Sequence, residues 1–251
     1  MHKTRTLEST DLRSSNPAAW LAIGLTVVTL VLLAALHLAS PDFDPSWRMI
    51  SEYALGRYPW LLSLMFLSWG LSTWALAASI RPLLGGRAGK AGLVFLVLAG
   101  LGEVMAAVFD INSDLGHGIA GFLGVVGLPI AAVLVTRALT RDGSWASARR
   151  PLMGLAILTW LAVASLVATL ILMIIQVVQA YGGQLPSTAP ANLPPGVFRL
   201  VGWADRFIVV ANCLWVLAAS RATLASKSRV RRPARAAAAM RIDSGREASV
   251  S

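Results

Sequence analysis

The chain has 251 residues, 56% of them hydrophobic and 14% charged, with a mean hydropathy of +0.67; a water-soluble domain carries far more charge for its size. Its single cysteine, Cys213, excludes an intrachain disulfide and a cysteine-based metal cluster. The net charge of +10 would suit nucleic acid if it gathered on one soluble face, but the basic residues stand at the ends of apolar runs, so they read as orientation signals and no nucleic-acid partner is expected.

Residues 1–16 form a short basic segment holding Lys3, Arg5 and Arg13. Six apolar runs follow, at residues 17–39, 60–80, 90–109, 117–136, 151–178 and 198–220. Each approaches or exceeds the ~20 residues that a helix needs to cross ~30 Å of hydrocarbon. The first is too long for a signal-peptide core and is read as a retained span. Turn formers separate the runs: Pro41 and Pro45, Pro82 with Gly85 and Gly86, Asn112 with Gly116, Asp142-Gly143, and Gly182-Gly183 with four prolines. Beyond Ser220 the chain becomes rich in Arg, Ala and Ser, so residues 221–251 are predicted to be a disordered basic tail that either attaches to anionic head groups or anchors topology.

Of the 22 Lys and Arg residues, 18 fall on alternate sides of the spans: three before the first, Arg81, Arg87 and Lys90, then Arg137, Arg141, Arg149 and Arg150, and eight after the last. The positive-inside rule then predicts an all-α membrane protein, a six-transmembrane-helix bundle in the cell membrane with both termini cytoplasmic.

Ionisable residues inside spans are the informative ones, because a charge at mid-helix costs ~2.5–3.5 kcal/mol on insertion scales. Glu103, Asp205 and Arg206 qualify, and their similar distance from the outer ends of their helices predicts a pairing of Glu103 with Arg206. The outer half also collects His37, Ser51, Glu52, Tyr53, Asp110, His117, Gln176 and Gln179, whereas the inner half offers mainly Ser and Thr. This asymmetry predicts an outer-side polar cleft for a lipid or hydrophobic small molecule. Glu103, Asp110 and His117 are the acid–base candidates, with Ser51, Tyr53, Trp203, Asp205 and Arg206 contacting substrate. The competing reading is non-catalytic: a transporter or assembly partner in which Glu103, Asp205 and Arg206 form a structural or proton-coupled ion pair.

Other chemistries are weaker. A catalytic zinc needs about three ligands, and only His37, His117 and a carboxylate are at hand, so no metal or cofactor is predicted. Ser51 lacks the surroundings of a nucleophile elbow. Gly118, Gly121, Gly124 and Gly127, at three-residue intervals, predict a close helix–helix approach along the fourth span, with Pro129 able to kink it. Trp20, Trp47, Trp60 and Trp145 fit an interfacial aromatic belt, and Ser113 or Asp114 is expected to cap the fourth helix.

Three clusters carry a resemblance: residues 50–56 (ISEYALG), Phe109-Asp110 followed by Gly116-His117-Gly118, and Gly202 with Arg206. Over residues 17–220 the chain resembles the bacterial integral-membrane domain-of-unknown-function family 998, which implies a six-helix fold and a shared polar cluster, without a reaction.

Overall fold

The computed structural model describes residues 16–141, 143–186 and 192–247, with side chains through Ser226 apart from that of Ser144. The segment 1–15, predicted as a basic leader to the first span, lies outside the described residues. Among the described residues, six helices are long and apolar enough to cross a membrane: α1 (Pro17–Ala39), α2 (Pro59–Ile80), α3 (Gly86–Val108), α4 (Asp114–Leu139), α5 (Ala146–Ala180) and α6, whose apolar part is Val201–Ser226. Short 3-10 turns punctuate them, chiefly Ile50–Leu55 between α1 and α2.

The helices start where the sequence chemistry directs. Asn16 caps α1, its side chain accepting from the Ala19 N–H at 3.3 Å, and Pro17 occupies the first helical position. Pro59 begins α2 in the same way. Ser113 stands at the cap position of α4 without a side-chain hydrogen bond, while Asp114 supplies negative charge to the first turn. Helix α6 continues through Glu247, well past its apolar part. The alanines at 234 and 236–239 favour a helix intrinsically.

Each helix packs on its neighbours in sequence, and α6 returns to α1, so the six form a closed ring with α2 also touching α6 across it. Two apolar cores fill the ring. One, around Leu76, Leu128, Val135 and Trp215, lies toward the arginine-rich end. The other, around Leu36, Met65, Trp69 and Ile208, lies toward the end bearing the Ile50–Leu55 turn. Trp145 is buried in the first core, so it is not a belt residue, whereas Trp20 and Trp60 are exposed at their helix ends as expected.

Close helix approach occurs between α3 and α4, but through a different set of glycines. A Cβ on Gly102 would meet the Gly124 nitrogen at 2.5 Å and the Ala120 oxygen at 2.6 Å. Gly124 and Gly127 face α3, while Gly118 and Gly121 have nothing within 4 Å. At about 100° per residue, a three-residue interval drifts by about 60° per step, so four glycines so spaced turn through half the helix circumference. They cannot all face one neighbour.

The long connections, 40–58 and 181–200, lie at the same end of the bundle, while the opposite end is joined by short turns. That end therefore acquires a cover, and the cover builds the site.

Candidate functional site: an arginine-anchored loop and its cavity

Arg206 lies one and a half turns into α6 and is 5% exposed. A guanidinium has five N–H donors and no acceptor, so a buried one must be surrounded by oxygen or nitrogen lone pairs. Here these are neutral. Arg206 Nε donates to His37 Nε2 at 2.6 Å, Nη1 donates to the carbonyls of Arg48 at 2.7 Å and Gly202 at 2.8 Å, and Nη2 donates to the Tyr53 hydroxyl at 3.1 Å. Because Nε can only donate, His37 Nε2 must be the acceptor. The His37 proton then sits on Nδ1, which donates to the Leu33 carbonyl at 2.6 Å. One arginine thus joins α1, the first long loop and α6.

Three further contacts fix the same loop. The Ile50 N–H donates to Asp205 Oδ2 at 2.7 Å, so α6 supplies a carboxylate to the start of the 3-10 turn. Glu52 accepts from the Met49 N–H at 2.9 Å through one oxygen and pairs with Arg48 at 2.5 Å through the other. Gly202 makes the close approach possible, because a Cβ there would run into the Pro45 carbonyl oxygen and would meet the Arg48 oxygen at 2.6 Å. Tyr53, 1% exposed, plugs the space beneath, edge-on to His37 with centroids 5.8 Å apart and tilted against Phe43 at 5.3 Å. At the outer surface Asp44 is held below the usual carboxylate range, chiefly by the N–H of Ser46, with Arg199 adding a weaker attraction at 3.8 Å.

This arrangement corrects the expected Glu103–Arg206 pair. Among the described residues no carboxylate lies within ion-pair distance of Arg206. Glu103, 2% exposed, instead accepts from the Thr73 hydroxyl at 2.7 Å, while its other oxygen has no hydrogen-bond partner. It lies within electrostatic reach of Cys213, two turns and about 10 Å further along α6 than Arg206. Equal distances from helix ends are not equal depths: Glu103 meets Thr73, well inside α2, whereas Arg206 meets His37 in the last turn of α1.

The remaining sequence candidates do not converge with Glu103. Asp110 is exposed and closes a turn on itself, accepting from the Asn112 N–H at 2.9 Å and its amide at 3.2 Å. His117 Nδ1 is 3.1 Å from the Phe109 carbonyl, and the ring lies within electrostatic reach of Asp205. Ser51 is buried within the 3-10 turn of the loop. Trp203 is half exposed, and the Arg206 guanidinium carbon lies 6.0 Å from its ring centre, so this ring serves the protein's own arginine. Tyr53, Asp205 and Arg206 do come together, as the loop anchor.

Beside the anchored loop is a cavity of about 350 Å³. Trp47, Met49 and Leu55 line it from the loop, and Met173, Ile174 and Val177 from α5. The Arg48–Glu52 pair supplies its charge, and Arg48 is also stacked 4.3 Å over the Trp47 ring. Gln176 on α5 accepts from the Phe198 N–H at 2.7 Å and ties the far wall to the approach to α6. None of the eight sequence-predicted site residues lines this cavity. Of the residues that do, Glu52 belongs to the outer polar set read from the sequence and Trp47 to the tryptophans expected at the membrane interface.

Comparison with curated proteins gives no match, and neither does comparison with solved structures. The family model described as a protein of unknown function, DUF998, matches residues 21–222, which reach from the first turns of the first span into the last turns of the sixth and include the anchored loop and the glycine and arginine of α6. The chain belongs to the DUF998 family of membrane-type proteins.

Proposed function

We propose that the protein binds an amphiphile, a lipid or hydrophobic small molecule, in the cavity between the anchored loop and α5. The observation that carries this reading is the lining: an apolar chamber of ligand-sized volume with one Arg–Glu pair in its wall. Such a chamber favours a hydrocarbon body and orients one polar group. The loop anchor supports the same reading, since Arg206, Asp205 and Gly202 hold the cavity wall rigid without entering the cavity. Binding is proposed in place of acid–base turnover, because Glu103 is hydrogen-bonded to Thr73 inside the bundle and to neither Asp110 nor His117. The ion-pair version of a transporter has no Glu103–Arg206 contact to rest on. We place both termini in the cytoplasm of a cell-membrane protein, supported by the alternation along the sequence, in which 18 of 22 basic residues fall in the terminal segments and every second connection.

Ile174 is 40% exposed and lines the cavity, so Ile174→Trp would fill it while leaving the anchor intact. Mass spectrometry of the full chain purified in mild detergent should find a discrete amphiphile that Ile174→Trp no longer carries, against an unchanged background of bulk lipid. Identical bound species in both proteins would rule the reading out.

A further inference from the structure

At the opposite end of the bundle, a second cavity, of about 610 Å³, opens between α4 and α5. Arg137 and Arg141, from the end of α4, and Arg149, from the start of α5, converge on it, and Val133, Met153 and Ile157 form its apolar wall. None of the three arginines has a carboxylate within ion-pair distance among the described residues. Between Asp114 and Asp205 the sequence contains one acidic residue, Asp142, against four arginines at 137, 141, 149 and 150. Even a full pairing with Asp142 leaves three positive charges at this corner.

The helix ends increase the demand for an anion. Helix α5 has no side-chain cap and no acid in its first turn, which instead carries Arg149, a cation at the positive end of the helix dipole. Helix α3 likewise begins without a side-chain cap or an acid. Arg141 reaches toward that start: a Cβ on Gly86 would lie 3.7 Å from its Nη1. Three guanidinium groups therefore line one cavity, with two uncapped helix starts at the same end of the bundle. A phosphate oxyanion meets all of these needs together, and guanidinium forks match its geometry.

The apolar wall selects the source of that phosphate. Ile157 is 52% exposed and faces outward along the spanning part of α5, continuous with the apolar surface of the helix. A free anion gains nothing from it; a phosphodiester carrying acyl chains does. We propose that this cavity seats the phosphate of an anionic phospholipid, whose first chain methylenes lie along Val133, Met153 and Ile157. This site is independent of the cavity near the anchored loop.

The test uses the full chain in nanodiscs made from mixtures of phosphatidylglycerol and phosphatidylcholine of matched chains, with lipid retention read by native mass spectrometry. Neutralising an arginine near the surface should weaken phosphatidylglycerol retention roughly fivefold, and Arg137→Gln/Arg141→Gln/Arg149→Gln roughly 100-fold. All three side chains are exposed, so folding should tolerate the change. As a control, Arg229→Gln/Arg231→Gln/Arg232→Gln removes equal charge elsewhere on the chain and should leave retention near wild type. Met153→Trp fills the apolar wall without touching charge and should also reduce retention. Undiminished retention in the triple cavity variant, or equal loss in both triple variants, overturns the proposal. Displacement of the lipid by millimolar inorganic phosphate overturns the lipid assignment in favour of a soluble anion.

Discussion

Replacing Arg206 with Met keeps a long flexible side chain in α6 and removes every donor. Three acceptors outside its own helix then lose their partner: His37 Nε2, the Arg48 carbonyl and the Tyr53 hydroxyl. The Gly202 carbonyl, one turn back in α6, keeps its helical environment. An orphaned buried acceptor costs about 1–3 kcal/mol, and such losses do not simply add, because the vacated space relaxes. About 3–5 kcal/mol of loop-docking free energy is therefore at stake. The Arg48–Met49 bond reports it directly, since trypsin cuts after Arg48 and the scissile carbonyl is the one that Arg206 holds. With fast opening and slow cleavage, a loss of about 3 kcal/mol raises the cut rate by more than ~100-fold. Cleavage after the exposed Arg57 serves as an internal reference. Time courses on purified protein in detergent, resolved by mass spectrometry, give both rates. Unchanged cleavage at Arg48 in Arg206→Met, with an unchanged melting temperature, would refute the claim that this guanidinium anchors the loop.

Gly202→Ala pushes a methyl against the Pro45 and Arg48 carbonyls, both backbone atoms that cannot rotate aside, and should destabilise loop docking by about 2–3 kcal/mol in the same proteolysis assay. Gly102→Ala forces α3 and α4 apart and should lower the melting temperature, whereas Gly121→Ala, which meets nothing within 4 Å, should not; equal effects would contradict the packing described. The swap Glu103→Arg with Arg206→Glu should show no rescue relative to the single variants, because each residue has its own partners; recovery of expression or stability by the swap would restore the ion pair that the structure lacks. Ile174→Trp should abolish amphiphile binding, and so should Arg206→Met, although Arg206 does not line the cavity.

Hydropathy alone located the spans because lipid imposes one rule on every helix: satisfy the backbone internally and face hydrocarbon with apolar side chains. The predicted ends at 39 and 80 coincide with those of α1 and α2, while α3, α4 and α5 each begin earlier than predicted, their first turns being polar or basic. The depth of a residue within the assembled bundle was not legible in the same way. Glu103 and Arg206 were correctly singled out as buried charges, yet their partners depend on how far each helix is displaced along its axis, which no local pattern records. Arg206 was expected to seek a carboxylate, and the chain instead gives it a histidine, a tyrosine and two carbonyls. Those partners come from a loop with no periodicity, and from His37, whose role as acceptor follows only from its position. Gly202 and the Ile50–Tyr53 segment were visible as part of a family resemblance; that Gly202 presses on the Pro45 and Arg48 carbonyls just ahead of that segment became legible only in three dimensions.

Helix α5, at 35 residues, is about 52 Å long, whereas the hydrocarbon layer is ~30 Å thick. Even a steep tilt of about 40°, the upper end of the usual range, leaves roughly 10 Å of helix outside the oily layer. With Arg149 and Arg150 at the head groups on one side, the surplus would emerge at the other, where Met173, Ile174 and Val177 stand. A guest would then enter that chamber sideways at the boundary between head groups and acyl chains, its polar end already in water, and molecules without such an end would have little reason to leave the bilayer for it.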